Sequence, residues 1–321
     1  MNKRIEQFHL LPCSNGEMPF SFTHMLASSL KHTGCPLSYE EITGASGFAF
    51  RLWVETKTQC PSAMSVFDFE LLRKGIELTG YDVVYVSRLW HEEDVEEERR
   101  EEAHRAIIRA VNENIAPIVW DVGIPEWGVI IGYDEEVQAY DTISATGEYG
   151  HMAYAQLGRR EIPILSVAIP TKHRNEEPIT LARNTIKTAI EHARGHEWTE
   201  RPAYESGLAA YPLWAELVRS VDQSGFPSMY YVSTYASLRR CAAAYLANLA
   251  EHDGSLQPAA NAYARVGKAL FEAQAIRHNA EFPTNELLDE LHSKILLAYS
   301  AEQEGVALLE GWLAGSEGEE E

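Results

Sequence analysis

The sequence predicts an α+β domain with an antiparallel sheet, followed by an all-α domain. Three observations carry this reading. Residues 1–171 give helical periodicity first and then several apolar strand-like segments in succession, the order of an α+β chain. No convincing strand pattern occurs after residue 170, while helical spacing continues. At 321 residues the chain also exceeds what one core usually holds, roughly 250–300 residues. The expected domains are residues 1–173 and 178–314, with an acidic tail at 315–321.

In order along the first domain, "FSFTHMLASSLKHTG" places Phe22, Leu26 and Leu30 four apart on one helix face, and Gly34 supplies the stop. The cluster "ITGASGFAF" reads as a glycine-rich turn leading into aromatic residues. "SVFDFELLRKGIELTG" (65–80) is a second amphipathic helix, followed by the strand "YDVVYVS". "HEEDVEEERREEAHR" (91–105) reads as an exposed acidic helix, and "AHRAIIRAVNEN" as a helix feeding the strand "APIVWDVG". "WGVIIGYDEEVQAYDT" (127–142) is two strands joined by a tight turn, and "EIPILSVAIP" is one more strand. From "TKHRNEEPITLAR" onward the pattern changes. Pro178 suits the first turn of a helix. Helical spacing then links Ile186, Ile190 and Ala193, next Val232, Tyr235, Leu238, Ala242 and Leu249, next Tyr263, Val266 and Leu270. A last and longest helix carries Leu288, Leu291, Ile295, Tyr299, Leu309 and Leu313. The breaks "GFPS", "DGSLQP" and "FPTN" separate about five helices, and the boundary between domains falls near 171–178.

Composition narrows the function classes. The net charge of −21 argues against nucleic acid and anionic membrane surfaces, which need basic patches. Eight acids and three arginines in residues 91–105 contribute −5 of it, and the tail "GSEGEEE" contributes −4; both read as solvated. No window approaches 18 consecutive apolar residues, so no membrane span is expected. The N-terminus has no signal-peptide pattern, and a cytoplasmic location is expected. Cys13, Cys35, Cys60 and Cys241 give neither a CxxC nor a disulfide framework. No phosphate-binding glycine motif, metal-ligand set or cofactor motif is present.

Three stretches resemble a known family. "SFTHMLASSLKHTGCPLSYEEITGASGFAF" is similar to a nucleophile helix followed by a leucine-serine-glutamate turn and a glycine-rich aromatic loop. "AIIRAVNENIAPIVWDVG" is similar to that family's helix, proline and buried strand. "EWGVIIGYDEEVQAYDT" is similar to the hairpin that brings in a histidine and then an aspartate. Together, over roughly 150 residues in the right order, they resemble the papain-like fold as found in bacteriocin-processing peptidases and in the N-terminal domain of the butirosin-biosynthesis H protein family. The resemblance implies a papain-like first domain. That chemistry needs a thiolate at a helix N-terminus, a histidine oriented by Asp or Asn, and a glutamine donor for the oxyanion. Carried onto this chain, the nucleophile position is Ser21, the glutamine position Asn15, the histidine position Glu126 and the orienting position Asp141. Only Asp141 keeps the family's residue type, so the resemblance implies a site without working cysteine-hydrolase chemistry. A different register would bring Cys13 or His24 into the site.

Other motifs point less sharply. "SSLK" (Ser28 to Lys31) satisfies S-x-x-K without its usual partners and reads as helix packing. His192 and His196 lie four apart, but Gly195 ends the helix between them and no third metal ligand is evident. Cys60 precedes a predicted helix, where a thiol can be activated, though a capped turn with a half-buried thiol accounts for it. Trp53, Trp120, Trp127, Phe48 and Phe50 map to stretches that, by the resemblance, border the family's substrate groove. Most read as core, and Trp53, Trp120, Trp127 and Phe48, with Cys60, are the candidate ligand-binding wall of a non-catalytic pocket. The expected function is therefore binding of a small acyl or peptide-like ligand in the former active-site cleft, partly covered by the helical domain, which should bury at least one of Trp53, Trp120 and Trp127. The alternatives are an acyltransferase moving an acyl group from a carrier-protein thioester to an amine, and a structural homodimer formed through the helical domain.

Overall fold

The computed structural model describes residues 2–12, 19–57, 59–60, 69–197, 203–219, 226–279 and 283–317. The chain divides into two compact units. The first comprises Met1–Pro12, Ser21–Ile42 and Phe69–Asn175, the second Cys13–Phe20, Thr43–Asp68 and Glu176–Glu321. The later division runs between Asn175 and Glu176, and the segment Thr43–Asp68, expected in the N-terminal domain, belongs to the helical unit. The physical reason is that its backbone polar groups are satisfied by side chains of the C-terminal helices.

The first unit is built on a seven-stranded antiparallel sheet in the order β3-β8-β4-β5-β6-β7, with β1 added to β5. The strands are β1 (Asn2–Arg4), β3 (Tyr81–Arg88), β4 (Ile118–Trp120), β5 (Trp127–Asp134), β6 (Ala139–Ile143), β7 (Tyr149–Ala153) and β8 (Leu165–His173). The strand β5 is buried from Trp127 to Tyr133, as a central strand covered on both faces must be. By contrast β7 is an edge strand, exposed at four of its five residues. Helix α1 (Ser21–His32) is buried from Ser21 to Leu30 and packs on β4, β5 and β8. A helix apolar or small all round is one enclosed by its neighbours. Ser29 Oγ ties it to the sheet by donating to the Ala116 carbonyl at 2.8 Å. Its stop follows the sequence: Gly34 has φ 91°, Cys35 N–H donates to Leu30 O and Gly34 N–H to Lys31 O. The serine-glutamate turn is a capping box, Ser38 N–H to Glu41 Oε2 at 2.8 Å and Glu41 N–H to Ser38 Oγ at 3.1 Å, opening α2 (Tyr39–Ala45).

Two expected helices prove to be one. Helix α4 (Glu96–Asn112) runs unbroken through the acidic stretch and "AHRAIIRAVN". Ala103, Ile107, Ala110 and Val111 supply its buried stripe. Helix α3 (Glu70–Leu78) is the described part of the predicted 65–80 helix, whose start lies outside the described residues.

The second unit holds five α-helices among its described residues beyond 175: α5 (Pro178–Ala193), α6 (Gly207–Leu217), α7 (Phe226–His252), α8 (Gln257–Asn279) and α9 (Asn285–Glu317). Pro178 stands in the first turn of α5, as read from sequence. One strand pattern was missed: β9 (Tyr204–Ser206) pairs antiparallel with β2 (Trp53–Glu55). Three residues without alternation carry no period-two signal.

A strap from residue 45 to residue 60 is held inside this unit by buried side chains. Thr185 Oγ1 donates to Ala45 O at 2.7 Å. Arg239 Nη1 donates to Ala49 O at 2.8 Å and Arg51 O at 2.9 Å, while its Nε meets Glu302 Oε2 at 2.8 Å. The Tyr235 hydroxyl accepts from Trp53 N–H at 2.9 Å and donates to Trp53 O at 2.5 Å. Tyr231 OH accepts from Glu55 N–H at 3.1 Å and donates to Cys60 O at 2.9 Å. Burial of polar backbone without such partners would cost about 1–3 kcal/mol per group.

Candidate functional site

The position mapped as nucleophile and the position mapped as histidine do meet. Ser21, the first residue of α1, donates Oγ–H to Glu126 Oε2 at 2.5 Å, and Trp127 N–H approaches the same Oγ at 3.4 Å. The turn before β5 aims the carboxylate: Asp121 takes φ 60° and Gly123 φ 81°, and Glu126 O accepts from Asp121 N–H at 3.0 Å. The third mapped position does not join them. Asp141 is opposite Gly132 on β5, five residues beyond Trp127 and so roughly 17 Å along the strand. Its carboxylate engages His151 instead, Oδ1 to Nδ1 at 2.9 Å. The catalytic constellation carried over from the resemblance is thus not assembled. Asn15 and Cys13 lie outside the described residues.

The alternative residues near Ser21 are structural. His24 is buried and its Nε2–H donates to Leu11 O at 2.8 Å; burial lowers its pKa, against the pull of the Leu11 carbonyl. Ser28 donates to His24 O at 2.8 Å and accepts from Leu11 N–H at 3.0 Å, which accounts for it without S-x-x-K chemistry. Trp120 and Trp127 are 3% and 0% exposed, stacked edge-on at 5.2 Å, with Phe22 and Phe69 around Trp127. They are core residues and do not offer ring faces as a groove wall. Trp53, Phe48 and Phe50 belong to the second unit. Trp53 is buried there with its ring edge-on to His192 at 4.9 Å, and Phe48 lies under the Arg51 guanidinium at 4.5 Å. The helices do bury one of the three tryptophans, as expected. They bury it as core, and Cys60 is half-buried with its carbonyl bound by Tyr231.

Asp121 was read from sequence only as the end of a strand. It is 4% exposed, its Oδ1 accepts from Arg160 Nε at 3.0 Å, and Arg160 Nη2 donates to Gly123 O at 3.1 Å. Burial pushes its carboxyl above the ordinary value, against the pull of Arg160.

His192 was read as a helix-end residue. It is fully buried in a three-group network. Arg51 donates twice to Glu197, at 2.7 and 2.8 Å, and His192 Nδ1 lies 3.1 Å from the same carboxylate. Its Nε2 lies against the Leu52 backbone, 2.8 Å from the amide nitrogen and 3.0 Å from the carbonyl oxygen. Despite the cost of burial, Arg51 holds the Glu197 carboxyl well below the usual carboxylate range. A network this enclosed orders the strap and offers no open position to a substrate.

An open arrangement of charges lies on the sheet of the first unit. Arg4, Gly132, Asp141 and His151 are directly opposite one another on β1, β5, β6 and β7, so they form one row on one face. A Cβ at Gly132 would stand 2.7 Å from Asp141 Oδ2 and 2.9 Å from Lys3 O, so the Asp141 carboxylate and the Lys3 carbonyl already take the space above Gly132 and leave no room for a side chain there. Arg4 reaches over the Tyr149 ring at 5.8 Å. An open pocket of about 810 Å3 adjoins the row and is lined by Lys3, Arg4, Glu6, Asp134, Asp141 and His151 among others. Cations on β1 can hold a carboxylate, while Asp134 and Asp141 can accept from an amine. The sequence hint was Gly132 inside an apolar strand; the row itself requires the strand register.

Among the described residues no group of three or more His, Cys, Asp or Glu is arranged to hold a metal ion, and no helix is long and apolar enough to cross a membrane. No protein-family model matches the chain and no curated protein sequence matches it.

Proposed function

We propose that this protein is a binding protein on a papain-like frame whose catalytic residues have been replaced. Its ligand is a small peptide-like molecule carrying a free carboxylate and a free amine, held in the pocket lined by Arg4, Asp141 and His151. The row Arg4–Gly132–Asp141–His151 carries this reading, because it brings a guanidinium and a carboxylate to one face of the sheet beside an open pocket of about 810 Å3. The ligand therefore lies on the sheet face and not in the expected cleft beside Ser21.

The Ser21–Glu126 contact supports the absence of hydrolase chemistry. An ordinary carboxylate is a weaker base than imidazole by about two pKa units, roughly 3 kcal/mol against proton abstraction. A serine hydroxyl depends on its base more than a thiol does, and here Asp141 is engaged elsewhere.

Calorimetric titration of the full chain with an unblocked dipeptide tests the reading. One-to-one binding is expected, lost when the amine is acetylated or the carboxylate amidated, and weakened about tenfold by Arg4→Ala or Asp141→Asn. Equal binding of the doubly blocked peptide, or no response to either substitution, would sink it.

A further inference from the structure

The helical unit carries a groove that the strap does not fill. It lies between α7 and α8 and has a volume of about 320 Å3. On α7, Ala236, Ser237, Arg240 and Ala243 recur at helical spacing along one face; on α8, Ala264, Gly267, Lys268 and Phe271 do the same. Small residues make the floor. Gly267 abuts the α7 backbone, with an added Cβ 3.5 Å from Arg240 N, so Arg240 and Lys268 stand at one level on opposite walls. Phe271 forms the rim and is 65% exposed, an unusual position for a large apolar ring.

Ser237 is the observation that points to a ligand. It lines the groove and is only 4% exposed, yet its Oγ has no hydrogen-bond partner among the described residues. A buried hydroxyl left without a partner is costly, and here it stands one helical turn from Arg240. Two cations and a hydroxyl line one groove beside a floor of small residues in a chain of net charge −21. The volume is at the small end of ligand sites, roughly 300–1,000 Å3.

We propose that this groove binds a carboxylate-ended acyl chain, the carboxylate between Arg240, Lys268 and the Ser237 hydroxyl and the chain along the alanine floor beneath Phe271. This site is on the second unit and does not rest on the reading of the first.

The test is calorimetric titration of the full chain with sodium decanoate below its micelle concentration, with decanol as the uncharged control and light scattering on the same samples. Saturable binding of one decanoate per chain is expected, weakened about tenfold by Arg240→Gln. Ala264→Leu, at an exposed helical position where leucine is well tolerated, should abolish binding while leaving the fold intact. Decanol binding as well as decanoate, or decanoate binding unchanged in the Ala264→Leu protein, would overturn the proposal. So would a dimer that Phe271→Ser converts to monomer, because a second copy would then be the occupant of the groove.

Discussion

The chain contains two sets of arginine, carboxylate and histidine that look alike on paper and differ in what surrounds them. In the second unit, Arg51, Glu197 and His192 are 0%, 8% and 0% exposed and each polar atom is directed at a carboxylate or the strap backbone. In the first, Arg4 and His151 are exposed and Asp141 half-buried, beside an open pocket. The buried set has exchanged water for protein partners, and removing any member leaves the others stranded in low dielectric. The exposed set keeps its water and can give it up to a ligand. The same side chains are structural in one place and available in the other, and burial makes the difference.

The largest expected effect is therefore in the buried set. Glu197→Ala should cost about 3–5 kcal/mol in urea unfolding, because Arg51 would remain buried without its partner. A loss below about 1 kcal/mol would break the comparison. Tyr235→Phe comes next, with about 1–3 kcal/mol expected from stranding both backbone groups of Trp53; an unchanged midpoint would mean that water replaces the hydroxyl.

Acid titration sharpens the contrast through two carboxylates of opposite sign. Glu197 has its folded-state pKa depressed from 4.5, so its stabilisation is complete above that value and disappears as pH falls. Asp121 has its pKa raised from 3.8, so its ionisation weakens the fold as pH rises through the interval above 3.8. The stability difference between wild type and Glu197→Gln should shrink on acidification. Asp121→Asn should stabilise the protein modestly near neutral pH and not at pH below 3.8. Parallel curves for the wild type and both variants would contradict these assignments.

The smallest effect on stability belongs to the exposed row. His151→Ala should change the unfolding free energy by no more than about 1 kcal/mol, since surface pairs contribute little. It should still weaken dipeptide binding, and a stability loss as large as that of Glu197→Ala would erase the distinction between the two sets.

Much of the secondary structure was legible because long segments repeat their apolar residues at one period. The strand β5, helix α1 and four of the five C-terminal helices follow from that, while α6 (Gly207–Leu217) was not placed, and Gly34 and Pro178 mark ends by their backbone geometry. The strap was not legible. Its buried character depends on Arg239, Tyr231 and Tyr235, which lie more than 170 residues away and read in sequence as ordinary members of a helix. Of the proposed site, only Asp141 was singled out beforehand, and in another role. The family resemblance led to that residue as an orienting position, but its partner is set by strand register, which places His151 opposite it and leaves Glu126 with Ser21.

The claim that the first unit binds without making bonds is tested most directly by intact-protein mass measurement during incubation with an activated ester and an acyl thioester. The account predicts an unmodified mass throughout, with reagent consumed no faster than in buffer. A mass increase of one acyl group that disappears in Ser21→Ala would contradict it and make Ser21 and Glu126 a working nucleophile and base.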